Sequence, residues 1–338
     1  MYGWALSHEQ VIRVDHEVLI DFVDDFFEQA FRFGATTSQF KKSFLRKLTQ
    51  KLEFAAALYG PIKRFMTEFN PHVVLVSSAS TVDAQILVHL CRSMGIKFFE
   101  MTHGMFQDTP ILRYQNVPVK LVWNRHQYDL MKKYRPEVNC RVIGNPKHDS
   151  IVSNFRKAAP KRVYTQPYVL LISTPGNNIS ISRITYLQIL SDFIDTARSI
   201  PELQFVFRLH PSEDLAKISA DAVQFSPPPN FVIDNTNNTY EMLYHTEMVV
   251  VSTSTVGYEA LLFDKAIICY SIPNSDKWMP LGQYGLAKNA ADAETLIAAV
   301  RDIMKHPVSY AGNEKKAYFV HSDGKAVESA VETILDQE

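Results

Sequence analysis

The chain predicts an α/β fold in two domains, and three observations carry that prediction. From residue 72 onward short apolar runs alternate with helix-period segments, the pattern of a parallel sheet covered by helices. A length of 338 residues exceeds one ordinary core and fits two domains of ~150 residues. A polar, basic, proline-containing stretch at 147–167 supplies a boundary, dividing the chain into 1–155 and 156–338.

The elements follow in order. Leu19, Ile20, Phe22, Val23, Phe26, Phe27, Ala30 and Phe31 recur at helical spacing among Asp21, Asp24, Asp25 and Glu28. The alternative for this region is a first strand in VIRVDHEVLI (11–20). A second helix spans about 38–69, with a break expected at Gly60-Pro61. HVVLVSSAS (72–80) is a strand entering a polar turn, and 83–95 is a helix closed by Gly95. IKFFEMTHG (96–104) and KLVWN (120–124) are strands, HQYDLMKKY is a helix, and CRVIGNP (140–146) is a strand again. The second series is YVLLIST (168–174), helix 180–199, LQFVFRLHP (203–211), helix 212–222, NFVIDN (230–235) and helix 239–246. It continues as MVVVSTSTVGYEALLFDKAIICY (248–270), helix 291–305 and a closing helix at 324–335. Two Rossmann-like domains facing across a cleft are the expected architecture.

Composition removes several classes. Hydrophobic residues make up 46% and charged residues 21%, with a net charge of -1, so no global field draws the chain to nucleic acid. Cys91, Cys140 and Cys269 are dispersed in apolar contexts, which predicts buried thiols in a cytoplasmic protein. No metal-ligand spacing is visible, so neither metal nor other cofactor is expected.

In an open α/β sheet, ligands bind beyond the carboxyl ends of strands. Four such ends in the second half carry suitable residues. Gly176 and Asn177 follow the first strand and can wrap a phosphate with backbone N–H groups. Arg208, His210 and Pro211 close the second, offering fixed charge and an imidazole. Asp234-Asn235 ends the third. Ser252, Thr253, Ser254 and Thr255 end the fourth, just before a helix whose amino end suits an anion. Gly257 would admit a close backbone, and Glu259 would accept from ribose hydroxyls. In the first half, strand 96–104 ends at His103-Gly104, where glycine permits a tight turn and His103 is placed to act as a base. Asp108 is the second base candidate. Gly144-Asn145-Pro146 with Asp149 either turns between the domains or lines the cleft. Lys41, Lys42, Arg46, Lys47 and Lys51 share a helix with Phe40, Phe44, Leu45, Leu48 and Leu52; that face is either solvated or lies on an anionic inner membrane surface.

Taken together, THG (102–104), GNPKHD (144–149), RLHP (208–211) and STSTVGYEALLFDKAII resemble the GT-B glycosyltransferases. The resemblance is nearest to bacterial capsule and teichoic-acid enzymes: glycerophosphotransferases, polysialyltransferases and Kdo transferases. It implies His103 in catalysis, with His210 and Ser252 to Thr255 on the nucleotide and its phosphates. It also implies metal independence, a nucleotide-sugar or CDP/CMP-type donor held by the C-terminal domain, and a glycan or lipid-linked acceptor on the N-terminal side. The acidic D/E-D/E-G motif of bacterial polysialyltransferases is absent. The alternatives are a non-hydrolysing UDP-sugar 2-epimerase and an inactive nucleotide-sugar-binding scaffold subunit.

Overall fold

The computed structural model describes residues 38–109, 112–113, 116–176, 181–310 and 313–336. The expected helix at 19–31 and the alternative strand at 11–20 lie outside them, as do Asp24, Asp25 and Asn177. The chain divides into two compact units. One holds residues 1–103 and 114–120; the other holds 104–113 and 121–338.

In chain order the elements begin with α1 (Ser38–Phe69), β1 (Val73–Val76), α2 (Val82–Met94), β2 (Lys97–Met101) and β3 (Val119–Val122). Then come α3 (Arg125–Tyr134), β4 (Asn139–Val142), α4 (Pro146–Lys157), β5 (Tyr168–Ile172), α5 (Arg183–Ser199) and β6 (Gln204–Arg208). These are followed by α6 (Leu215–Val223), β7 (Phe231–Asp234), α7 (Thr239–His245), β8 (Met248–Val251), α8 (Val256–Ala260) and β9 (Ala266–Tyr270). The chain finishes with α9 (Ser275–Trp278), β10 (Lys288–Ala290), α10 (Ala293–Lys305), α11 (Glu314–Phe319) and α12 (Ala326–Leu335).

Two departures from expectation have local causes. Helix α1 runs unbroken through Pro61, although proline removes one intrahelical bond. Ala57, Gly60 and Pro61 are all exposed there, so water can satisfy the carbonyl that proline leaves without a donor. The polar stretch after residue 146 is helical as far as Lys157, because Asn145 caps α4 through Lys147 N–H and Pro146 sits at its first turn. Gly95 closes α2 as expected, in the left-handed region at φ 70°.

The first sheet has the order β1-β2-β3-β4 and the second β10-β9-β8-β5-β6-β7. Every neighbouring strand pair in the second sheet is parallel. Strands β5, β8 and β9 are buried along their whole length, which is why they read as continuous apolar runs. One face packs Phe193, Phe205, Phe207 and Leu190; the other packs Tyr168, Leu261, Leu281 and Phe319. At about 25 cal/mol per Å² of apolar area, each such side chain contributes roughly 1.5–3 kcal/mol. The three cysteines are free and buried.

Candidate functional site

Strand order positions the site. From β5 the chain moves outward to β6 and β7, then returns to β8 on the other side of β5. The loops after β5 and β8 therefore diverge at a switch point, where an open α/β sheet leaves a crevice. Three of the expected loops are joined there. Thr253 Oγ1 lies 3.4 Å from Thr174 Oγ1, linking the β8 and β5 loops. Glu213 accepts from Ser173 Oγ at 3.0 Å and from the His210 N–H at 2.7 Å, linking the β5 and β6 ends. Ser173 and Ser252 are buried, whereas His210 and Pro211 are exposed.

The partners of His210 fix its tautomer. Its Nδ1 accepts from Ser212 N–H at 3.2 Å and lies 2.8 Å from Ser212 Oγ. A nitrogen that accepts a backbone N–H carries no proton, so the neutral ring holds its proton on Nε2. His103 has the opposite form. Its Nδ1 lies 2.8 Å from Ser77 O, and a carbonyl can only accept, so Nδ1 is protonated and neutral Nε2 keeps a lone pair. One imidazole can donate through Nε2 and the other can accept there.

Other expectations change. Arg208 does not carry free charge into the crevice. The register sets it opposite Asp234, and its Nη1 lies 3.2 Å from Asp234 O and 3.4 Å from Oδ1. Asp234 in turn accepts from Tyr164 at 2.7 Å and from Asn237. Burial opposes ionisation of Asp234, but these bonds prevail and hold its carboxyl below the ordinary value. Asp108 is likewise committed. It receives Lys133 Nζ at 2.9 Å on both oxygens and Tyr134 Oη at 2.7 Å. Partial burial works against its charge, yet the bonds from Lys133 and Tyr134 lower its pKa, which suits an ion pair better than a base.

The helix after the hydroxyl turn is short. α8 has five residues before a 3-10 turn at Leu261–Phe263, and Thr255 makes no side-chain cap bond. Its dipole is correspondingly small, so hydroxyls rather than the helix supply the polarity. Gly257 admits side chains, not backbone: an added Cβ would stand 2.9 Å from Val251 Cγ2 and 3.0 Å from Met279 Cε. At Gly176 a Cβ would press on the Tyr186 side chain at 3.0 Å. Gly104 is not in the left-handed region and a Cβ there would meet nothing within 4 Å, so its turn does not require glycine.

A second recess within the larger unit unites residues that sequence reading left apart. Trp123, Asn124, Asn145, His148, Thr255 and Glu259 line it. Glu259 accepts from Tyr240 Oη at 3.0 Å, and His148 Nε2 lies 3.6 Å from the same carboxylate. His148, which sequence reading did not single out as a site residue, is buried beside Asn145 at 3.1 Å. Its one sequence signal was membership of GNPKHD. Asn124 donates to Phe319 O at 2.6 Å, bringing the late chain to the recess wall.

Comparison with known proteins defines the class of fold. No protein-family model matches the chain, and no curated protein matches it by sequence. Among solved structures, a UDP-GlcNAc 2-epimerase from Neisseria meningitidis bound to UDP-GlcNAc is similar with TM-score 0.58 and 12% identity, covering 96% of this chain and 98% of that one. The UDP-GlcNAc 2-epimerase from Methanocaldococcus jannaschii is similar with TM-score 0.59 and 13% identity, covering 93% and 89%. The calicheamicin glycosyltransferase gives TM-score 0.52 and 11% identity, covering 93% and 85%. The chain has the GT-B fold, an α/β architecture of two parallel-strand sheets with interleaved helices.

Proposed function

We propose that this protein is an enzyme acting on a nucleoside diphosphate sugar, with the donor seated on the second sheet. The observation that carries this reading is the set of loops tied together at the switch point, with the Nε2–H of His210 and the hydroxyls of Ser254 and Thr255 available as donors. When the bond from the anomeric carbon to the diphosphate breaks, its electron pair goes to the phosphate oxygen. Fixed donors there stabilise the charge as it develops. Glu259, oriented by Tyr240, is suited to ribose hydroxyls. Pro211 flanks the β6 end of the donor loops, Asp108 holds its loop through Lys133, and Arg208 braces β6 against β7.

Two finer readings each have support. Epimerisation at C2 of a UDP-sugar is favoured by likeness to 2-epimerases along nearly the whole chain. Transfer to a surface glycan or lipid-linked acceptor is favoured by the THG, RLHP and STST motifs, and by a His103 whose Nε2 can take an acceptor hydroxyl proton. Incubation with UDP-GlcNAc and no acceptor separates them. A C2 epimer supports the first; product formed only when acceptor glycan is added supports the second. His210→Ala should abolish either reaction and weaken nucleotide binding. Calorimetry that finds no binding of UDP, CDP or CMP by the native protein would reject the class.

A further inference from the structure

Helix α1 carries a feature that the donor site does not use. Its 32 residues contain seven Lys and Arg against two Glu, a net +5 in a chain whose total is -1. At about 100° per residue, Lys51, Phe54, Leu58, Phe65 and Phe69 all fall within about 40° of Lys47. They form one ridge about 33 Å long, taking 1.5 Å per residue. The side turned about 100° from Lys47, with Met66, faces the protein.

The ridge is unusually apolar for a surface. Phe54 is 53% exposed, Phe65 51% and Phe69 70%, with the last two rings stacked at 5.5 Å. Lys47 and Lys51 are exposed on the same line, and Arg46 and Arg64 are exposed about 100° to one side of it. Glu53 and Glu68 fall about 120° and 60° from Lys47, off the ridge. Aromatic rings with lysines along one helix face, backed by a local excess of positive charge, match the boundary of an anionic bilayer: rings enter the headgroup layer while cations meet lipid phosphates. The helix is not apolar enough to cross a membrane. We propose that α1 seats the protein on an anionic lipid surface through this ridge. This goes beyond the donor-site reading and does not depend on it.

The test is co-sedimentation of the full chain with phosphatidylcholine vesicles, with and without phosphatidylglycerol. Binding should require the anionic lipid and weaken with added salt. Lys47→Glu with Lys51→Glu should lower affinity at least about 25-fold, since each cation near such a surface contributes about fivefold. Phe54→Ser with Phe65→Ser and Phe69→Ser should abolish binding while leaving the melting temperature and nucleotide affinity unchanged. Equal binding to neutral vesicles, absence of binding, or unaltered binding by both variants would overturn the proposal. So would a homodimer in sedimentation equilibrium that the Phe substitutions dissolve, because the ridge would then serve a second copy.

Discussion

Glu213 gives the sharpest test of how the donor loops are held. Its two oxygens accept from Ser173 at 3.0 Å and from the His210 amide at 2.7 Å, and its own N–H donates to His210 O at 2.9 Å. Glu213→Gln keeps the shape but turns an NH2 toward one of the two donors. A bond to a charged acceptor contributes roughly 1.5–3 kcal/mol, so one such bond should be lost. In a unit of this size each kcal/mol corresponds to about 2–4 °C, giving a fall in melting temperature of several degrees. The His210 turn would then lose its fixed conformation, and we expect UDP or CDP affinity to drop about tenfold, or 1.4 kcal/mol. Calorimetry and thermal melts on the same preparations measure both. A lowered melting temperature with unchanged affinity would refute the positioning role. Tighter binding would refute it in another way, because the carboxylate would then be competing with the ligand's phosphate.

Two further outcomes follow from buried charge. Lys120 and Glu100 pair at 2.9 Å with side chains 1% and 6% exposed, so Lys120→Met should cost about 3–5 kcal/mol in chemical denaturation, whereas adding Glu100→Leu should restore most of it. Failure of the double variant to recover would mean the pair sets sheet register rather than merely neutralising itself. Burial drives His126 down to about 4, against the pull of Asp108 and Asp129. The unfolded chain then binds a proton below about pH 6.5 that the folded chain refuses, so stability should fall by about 3 kcal/mol between pH 6.5 and 4. His126→Leu should flatten that limb of the denaturation profile; an unchanged slope would show that another group titrates there.

Most strands were legible because burial on both faces writes itself as an unbroken apolar run, as in YVLLI and AIICY. β10 escaped notice because a three-residue edge strand reading KNA has no periodicity to detect. α11 escaped for the same reason of length. The loops bearing His210 and Ser252–Thr255 were readable from their place at strand ends. Their partners were not. Arg208 looks like a free cation until register sets Asp234 beside it, and Asp108 looks like a base until the fold delivers Lys133 and Tyr134. Glu213 reaches Ser173, and His148 reaches Glu259, only across contacts distant in sequence, for which a single chain offers no signal.

The recess at Glu259 also ends in the last stretch of the chain. Phe319, Val320 and His321 line it, Asn124 is bonded to Phe319 O, and Val327 N–H donates to Asp149 at 2.9 Å. Around Gly144, at φ 83°, an added methyl would strike Ala326 and His321 within 3.3 Å. Trimming the protein back to residue 313 would therefore not be a cosmetic deletion. It would strip one wall from the recess and unlatch the turn that carries His148, so a reporter fused beyond residue 336 is a safer handle than any shortened version.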